Sequence, residues 1–264
     1  MRYFIYFAYD GTNYHGWQIQ PNAHSVQAEL NGALSTILRT EIMVTGAGRT
    51  DTGVHARMMV GHFDADEIDT LKLAEHLNRL LPHDIAVWRI ERVANDAHAR
   101  FDAVSRTYHY DICLCKNPFV RHFATRMYYT LDFDRMNEAA QRLIGTHDFS
   151  SFSKAGTDTK TNVCTITCAH WKELEPGFWR FEITANRFLR NMVRAIVGTL
   201  LLVGRGKLNP ADVAHIIAQR NRNMAGESVP ACGLSLVDVV YENVNYKASI
   251  EVGMKASDGK EKAE

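Results

Sequence analysis

A glycine-rich stretch near residue 50 carries the side chains best suited to chemistry. It covers residues 46–56 and reads GAGRTDTGVHA. Its glycines permit backbone conformations that other residues rarely adopt, and Arg49 stands two positions before Asp51. A nearby guanidinium favours an ionised carboxylate, which can act as a nucleophile or as a base. A tight turn capped by Asp51 and Thr52 is the alternative interpretation, because such residues are common in turns.

Strands and helices alternate on both sides of this stretch. Ser25 predicts the start of a helix, because a serine caps free backbone N–H groups and apolar residues follow it at helical spacing to about Leu38. In order, the first half predicts a strand over 2–9, a turn over 10–13, that helix, strands over 42–45 and 59–63, a helix over 70–81 and a strand over 85–93.

The second half shows a similar alternation of strands and helices without repeating the sequence. It predicts a strand over 106–115, a helix over 134–144, strands over 163–174 and 178–185, helices from Arg187 to Gly204 and from Asn209 to Gln219, and a strand over 233–241. The pattern indicates an α+β fold in two similar halves. We expect an N-terminal domain over 1–103, a C-terminal domain over 104–246 and a polar, disordered tail over 247–264.

Charge is unevenly distributed although the chain is formally neutral. Residues 1–103 hold 9 basic and 13 acidic side chains, a net charge of −4, and residues 104–246 hold 17 and 13, a net charge of +4. A polyanionic partner is therefore expected to contact mainly the second half, unless the difference is chance scatter of surface charge.

The cysteines and the apolar runs indicate the cellular compartment of the protein. Five cysteines, an odd number, and a start without a secretory signal favour a reducing compartment. The longest apolar run, residues 195–203, is too short to cross a membrane. We expect a cytoplasmic protein without a membrane anchor. No metal site is expected, because Cys164 and Cys168 lack a second ligand pair at zinc spacing.

Several motifs together resemble one enzyme family. Residues 48–55, GRTDTGVH, closely resemble the signature of the tRNA pseudouridine synthase A family. Similar family motifs follow the same order in this chain: YDGTNYHGWQ at 9–18, HARF at 98–101, RTYHY at 106–110, NRFLRNMVR at 186–194 and GL at 233–234. The resemblance covers about residues 2–241. Thr52 departs from it, standing where alanine is common after the aspartate.

The resemblance implies a fold, a reaction and a partner. The fold is a largely antiparallel mixed sheet flanked by helices, with a central cleft that binds RNA. The reaction is isomerisation of uridine to pseudouridine, without a cofactor, at positions 38, 39 and 40 in the anticodon stem-loop of tRNA. The family also implies a homodimer whose cleft holds one RNA across both subunits.

The same resemblance assigns roles to individual side chains. Asp51 matches the essential aspartate, Arg194 the arginine paired with it, and Tyr108 the tyrosine that stacks on the target base. The residues alone also favour Arg194, because an arginine entering an apolar helix needs a partner, and Arg187 and Arg190 precede it at helical spacing. Tyr110 shares a strand face with Tyr108, so the residues alone do not choose between these two rings.

Arg49 has two possible roles, and two other functions compete with the enzyme assignment. Arg49 either favours the ionised form of Asp51 or contacts a phosphate of the flipped nucleotide. One competitor is an aspartic protease, since residues 51–53 read DTG, although that would require paired aspartates in a symmetric dimer. The other is a non-catalytic RNA-binding module on the same scaffold.

Overall fold

The computed structural model describes residues 1–154 and 160–242, which form one mixed, mostly antiparallel sheet flanked by helices. This confirms the predicted α+β class. The strands are β1 Arg2–Tyr9, β2 Thr45–Gly46, β3 His55–Asp64, β4 Ile85–Val93, β5 Ala103–Cys113, β6 Thr125–Arg126, β7 Gly145–Asp148, β8 Val163–Glu175, β9 Phe178–Ala185 and β10 Leu234–Tyr241. The α-helices are α1 Val26–Leu38, α2 Thr70–Leu80, α3 Phe133–Gln141, α4 Met192–Gly204 and α5 Asp212–Gln219.

The two predicted halves contribute strands to one continuous sheet. Its order is β4-β1-β3-β10-β5-β9-β8-β7, with β2 beside β3 and β6 beside β5. β10 pairs parallel with β3 and antiparallel with β5, so the last strand joins the halves at the middle of the sheet. The predicted tail, 247–264, lies outside the described residues.

Helix packing follows from the apolar faces of the helices. The Ser25 side chain accepts a hydrogen bond from the Ala28 amide, which confirms the predicted cap of α1. α4 is buried on nearly every side and packs against α3, as its apolar sequence indicates. Within residues 1–154 and 160–242, no helix combines the length and apolar character that a membrane crossing requires.

The predicted start of the long helix at Arg187 is wrong. Residues 187–191 form a loop, and α4 begins at Met192 after Asn191, whose φ of 67° is left-handed. The Asn191 side chain donates to the Ser228 hydroxyl, and the Lys154 amide donates to the Arg190 carbonyl. These tertiary contacts outweigh the helical spacing of the three arginines, of which only Arg194 lies on the helix.

Other differences between prediction and structure lie at element ends. Residues 42–44 are not a strand, because side chains of α1, and not a neighbouring strand, make hydrogen bonds with the backbone there. Asn31 accepts from the Val44 amide and Gln27 donates to the Val44 carbonyl. β3 and β5 begin earlier than predicted, α3 ends earlier, and the short strands β6 and β7 were not predicted.

Candidate active site

Asp51 lies in the loop between β2 and β3, and the segment after β1 fixes that loop. The Trp17 amide donates to the Thr50 carbonyl over 3.2 Å, and the Val54 amide donates to the Asp51 carbonyl over 3.1 Å. Gly16 permits this approach, since its φ is +89° and a Cβ there would lie 2.4 Å from the Thr50 carbonyl oxygen. The loop contains a turn, which the backbone hydrogen bond from Val54 to Asp51 closes. The Asp51 side chain faces two arginines instead.

Thr50 is anchored through its side chain as well as its carbonyl. Its hydroxyl is buried and lies 2.8 Å from the Tyr9 hydroxyl, also buried. Burial raises the pKa of Tyr9 far above its ordinary value of 10, so this phenol stays protonated at neutral pH. The residue before Asp51 is therefore held by two independent contacts, which fixes where the carboxylate emerges.

The Asp51 carboxylate faces two arginines. Arg194 Nη1 lies 3.8 Å from Oδ2, and Arg190 Nε lies 3.9 Å from Oδ1. Both distances are too long for hydrogen bonds but short enough for a strong charge interaction. The carboxylate is 34% exposed, so a substrate can reach oxygens whose negative charge the two guanidinium groups stabilise.

The two arginines differ in how firmly they are held. Arg194 is 21% exposed, and its Nε donates to the Val229 carbonyl over 2.7 Å. Arg190 is 56% exposed and comes from the loop before α4. Arg194 is thus a fixed cation beside Asp51, whereas Arg190 is a solvent-facing one.

Tyr108 is largely buried on β5, with its ring edge-to-face against Phe188 at 5.1 Å between centroids. Burial raises the pKa of Tyr108 to about 12; the Arg106 guanidinium opposes this and the Asp51 carboxylate adds to it. The hydroxyl is therefore protonated at neutral pH.

The structure distinguishes Tyr108 from Tyr110. The Tyr110 ring is fully buried, and its hydroxyl lies 2.6 Å from the Thr125 hydroxyl and donates to the Pro230 carbonyl over 3.0 Å. Tyr110 is a core residue whose polar atom is fully used. Tyr108 instead packs its ring against Phe188, in the loop that also carries Arg190.

Arg106 is a structural member of the site that sequence reasoning missed. Its guanidinium donates to four backbone carbonyls, those of Ala47, Arg100, Ala103 and Asn186, over 2.6–3.0 Å. Burial lowers the pKa of Arg106, but an arginine remains charged. Three of these acceptors belong to the aspartate loop, the 98–101 motif and the start of the loop that carries Arg190, so one side chain ties these segments to β5.

Arg49 and His55 occupy contrasting environments at the two ends of the loop. Arg49 is exposed and, within the described part of the chain, makes no ion pair with Asp51. His55 is buried: its Nδ1 accepts from the Gly11 amide and its Nε2 lies 3.2 Å from the Cys232 carbonyl. Burial lowers the pKa of His55, so this ring is a neutral, structural one.

The arrangement can present one anionic oxygen to a substrate, stabilise its charge and hold a flat ring nearby. Among the described residues, one group has metal-ligand geometry: Cys168, His170 and Glu182. Glu182 on β9 pairs with His170 on β8 and with His109 on β5, and His109 is the residue after Tyr108. Successive residues of a strand point to opposite faces, so this group lies on the other side of the sheet from Tyr108.

Comparison with known proteins agrees with the motifs. The family model described as tRNA pseudouridine synthase matches residues 5–102 and 139–242. Asp51 falls in the first matched segment and Arg194 in the second, whereas Arg106 and Tyr108 lie between them.

Curated proteins named tRNA pseudouridine synthase A are similar over nearly the whole chain. The protein of Bacteroides thetaiotaomicron is 58% identical over 243 residues, which cover 91% of this chain and 90% of its own. The protein of Porphyromonas gingivalis is 55% identical over 244 residues, covering 91% and 97%. The protein of Bacillus pumilus is 42% identical over 241 residues, covering 89% and 97%.

Proposed function

This chain belongs to the tRNA pseudouridine synthase family, and we propose that it isomerises uridines 38, 39 and 40 in the anticodon stem-loop of tRNA, with Asp51 as its essential carboxylate. The reaction breaks the bond between C1′ of the ribose and N1 of the base, turns the base, and joins C5 to C1′. Every atom of the product comes from the substrate, and the family resemblance implies that no cofactor takes part.

The observation that carries this proposal is the carboxylate of Asp51, with the guanidinium of Arg194 3.8 Å from it. An ionised carboxylate can attack the sugar, attack the base or remove the 2′ proton of the ribose, and each route requires its negative charge. The guanidinium of Arg194 supplies a positive charge next to that carboxylate. The Tyr108 ring face holds the detached base by stacking while leaving the base edges free to turn.

Binding of tRNA requires positive charge around this carboxylate. Arg49 and Arg190 are exposed, and Arg190 approaches Asp51 itself. We assign to these side chains the phosphates next to the flipped uridine, whose removal from the stack costs a few kcal/mol. The protein acts as a homodimer in which one tRNA spans both subunits, and it works in the cytoplasm, where tRNA matures. Binding is expected to weaken with salt, because phosphate contacts dominate RNA affinity.

The test of the catalytic assignment is tritium release from tRNA labelled at C5 of uridine. Wild-type protein should release tritium, and Asp51→Asn should lower the rate at least about 1,000-fold, because the amide keeps the shape but loses the charge. Asp66→Asn is the matched control, since Asp66 is an exposed carboxylate outside the site. Release by Asp51→Asn at the wild-type rate would refute the role of Asp51.

The test of the position assignment is a map of pseudouridine in tRNA from cells that lack the protein. Loss confined to positions 38, 39 and 40 supports the assignment, and loss at other positions contradicts it. A non-catalytic RNA-binding module would bind tRNA but release no tritium. An aspartic protease would cleave peptide, for which a carboxylate flanked by two arginines is unsuited, since the paired aspartates of such enzymes share a proton.

A further inference from the structure

Three metal-ligating side chains converge on the face of the sheet opposite Tyr108. Cys168 and His170 lie two apart on β8, so they point to the same side, and Glu182 of β9 pairs directly with His170. All three are partly buried. The proposed uridine chemistry uses none of them.

The donor atoms are spaced as a tetrahedral metal requires. Cys168 Sγ lies 3.3 Å from His170 Nδ1 and 4.0 Å from Glu182 Oε1, and the three ligand atoms all lie within 4.8 Å of one another. Zinc bonds of about 2.0–2.3 Å place tetrahedral donors roughly 3.3–3.8 Å apart. Small side-chain rotations therefore suffice to centre an ion among the three atoms.

Neighbouring side chains hold the carboxylate in the orientation that a ligand needs. Glu182 Oε2 accepts a hydrogen bond from Lys172 Nζ over 3.0 Å and lies 3.1 Å from His109 Nε2. Both contacts involve the same oxygen, which leaves Oε1 facing Cys168. Outer partners that fix a ligating carboxylate in this way are common around protein metal ions.

The donor set favours one class of ion. A thiolate and an imidazole select zinc-like cations over magnesium or calcium, which prefer oxygen ligands. Burial raises the pKa of the Cys168 thiol, so a bound ion displaces its proton, and the resulting thiolate and the Glu182 carboxylate then bring two negative charges to the ion. Three protein ligands leave one coordination position open toward solvent.

We propose that Cys168, His170 and Glu182 bind one zinc-class divalent cation, which fastens β8 to β9 on the face opposite Asp51. The pattern is hard to see in the sequence because it contains no CxxC pair: two ligands are i and i+2 on one strand, and the third comes from its neighbour. The ion would stabilise the sheet by binding the folded chain more tightly than the unfolded chain.

Cobalt(II) is the probe for this site, because a cysteine ligand gives it a characteristic absorption. The purified full-length protein, stripped with a chelator and kept reduced, is titrated with Co²⁺. We expect a thiolate-to-cobalt band in the near ultraviolet and intense visible bands of tetrahedral type, saturating at one ion per chain and removed by Zn²⁺. The thermal midpoint should rise when Zn²⁺ is added. The absence of these bands in the wild-type protein would overturn the proposal.

Two variants locate the ion, and a third serves as the control. Cys168→Ser should abolish the near-ultraviolet band, whereas Cys115→Ser should keep it, since Cys115 is exposed after β5. A band that survives Cys168→Ser at full intensity overturns the assignment. Glu182→Gln should keep the band but weaken Co²⁺ binding at least about tenfold. It serves as an independent test if Cys168→Ser does not fold, and unchanged affinity would exclude Glu182 as a ligand.

Discussion

The guanidinium of Arg106 donates a 3.0 Å hydrogen bond from Nη2 to the carbonyl oxygen of Ala47, which ties β5 to the loop that presents Asp51. The Nη1 atom of the same side chain donates to the Asn186 carbonyl, at the start of the loop that carries Arg190. One half-buried cation therefore positions both the loop that presents Asp51 and the loop that carries Arg190. It acts through the backbone, without touching the carboxylate.

Arg106→Lys tests this positioning role. Lysine keeps the charge but lacks the planar fork that serves four carbonyls, so at least two of these acceptors lose their donor. Two of the four hydrogen bonds are partly buried and two are exposed, so we expect a stability loss of about 1–3 kcal/mol, at roughly 0.5–1.5 kcal/mol for each lost hydrogen bond. We also expect kcat to fall at least about tenfold at a temperature where the variant is folded, because small displacements of a catalytic group are costly.

Urea unfolding and tritium release measure these two effects. Arg92→Lys is the control, because Arg92 is exposed on the outer strand β4 and should tolerate the change. A purely structural role for Arg106 would lower stability and leave kcat of the folded variant at the wild-type value.

The two arginines beside Asp51 should differ in their effect on the reaction. Arg194 is held by the Val229 carbonyl and is mostly buried, whereas Arg190 is more than half exposed. Charge interactions are weaker in solvent. We expect Arg194→Met to lower single-turnover tritium release at least about 100-fold, and Arg190→Ala to lower it less than about tenfold. Equal losses in both variants would contradict the assignment of Arg194 as the principal partner.

Substitutions at Tyr108 separate its ring from its hydroxyl. Stacking of a base on an aromatic ring contributes about 1–3 kcal/mol. Tyr108→Leu is therefore expected to lower kcat/KM by roughly 5- to 150-fold, whereas Tyr108→Phe should keep it within about tenfold. Tyr110→Phe is the control for losing a phenol on the same face of β5. Loss of all activity in Tyr108→Phe would show that the hydroxyl, rather than the ring face, does the chemistry.

Local signals in the sequence account for most of the fold. Ser25 and the apolar spacing after it placed α1 to the residue, and the apolar strands β1, β4 and β9 were predicted with their observed bounds. The start of α4 was missed because the helical spacing of the arginines continues through residues 187–191, where only tertiary contacts reveal a loop. Residues 42–44 of the strand predicted over 42–45 are not a strand for a similar reason, since α1 side chains make hydrogen bonds with the backbone of Val44.

In the candidate site, too, the sequence predicts contacts that have a local side-chain signal and misses contacts made with the backbone of distant segments. An arginine entering an apolar helix predicted a partner for its charge, and the structure brings Arg194 to 3.8 Å from Asp51. The four-carbonyl role of Arg106 has no side-chain signature, because its acceptors are backbone atoms of distant segments. Arg49 is close to Asp51 in sequence but exposed, and in the described residues the ion pairs of Asp51 go to Arg190 and Arg194 instead.

Buried His62 predicts how stability depends on pH. Burial lowers the pKa of His62 from 6.5 to about 4, with His98 and Arg2 adding to the effect, and its Nδ1 accepts from the Ala99 amide. Between pH 6.5 and 4 the unfolded chain binds a proton here that the folded chain does not. The free energy of unfolding therefore falls as the pH falls through this window, by about 2 kcal/mol from this residue.

Urea unfolding at several pH values between 7 and 4.5 checks this. In His62→Asn the Oδ1 atom can accept from the Ala99 amide without titrating, so the pH dependence should flatten. His83→Asn, at an exposed position, should leave it unchanged. If His62→Asn keeps the full wild-type slope, other groups cause the acid sensitivity.

Removing Arg49 decides between its two possible roles. Its exposure, and its lack of an ion pair with Asp51 in the part of the chain that the structure describes, favour contact with a phosphate. Each phosphate contact contributes roughly 0.7–0.9 to the slope of log affinity against log salt concentration. We expect Arg49→Ala to weaken tRNA binding and reduce that slope by about one contact, with Arg79→Ala on α2 as the control. If Arg49 instead acted on the Asp51 carboxylate, the variant would bind tRNA with the wild-type affinity and salt slope, and only its single-turnover rate of tritium release would fall.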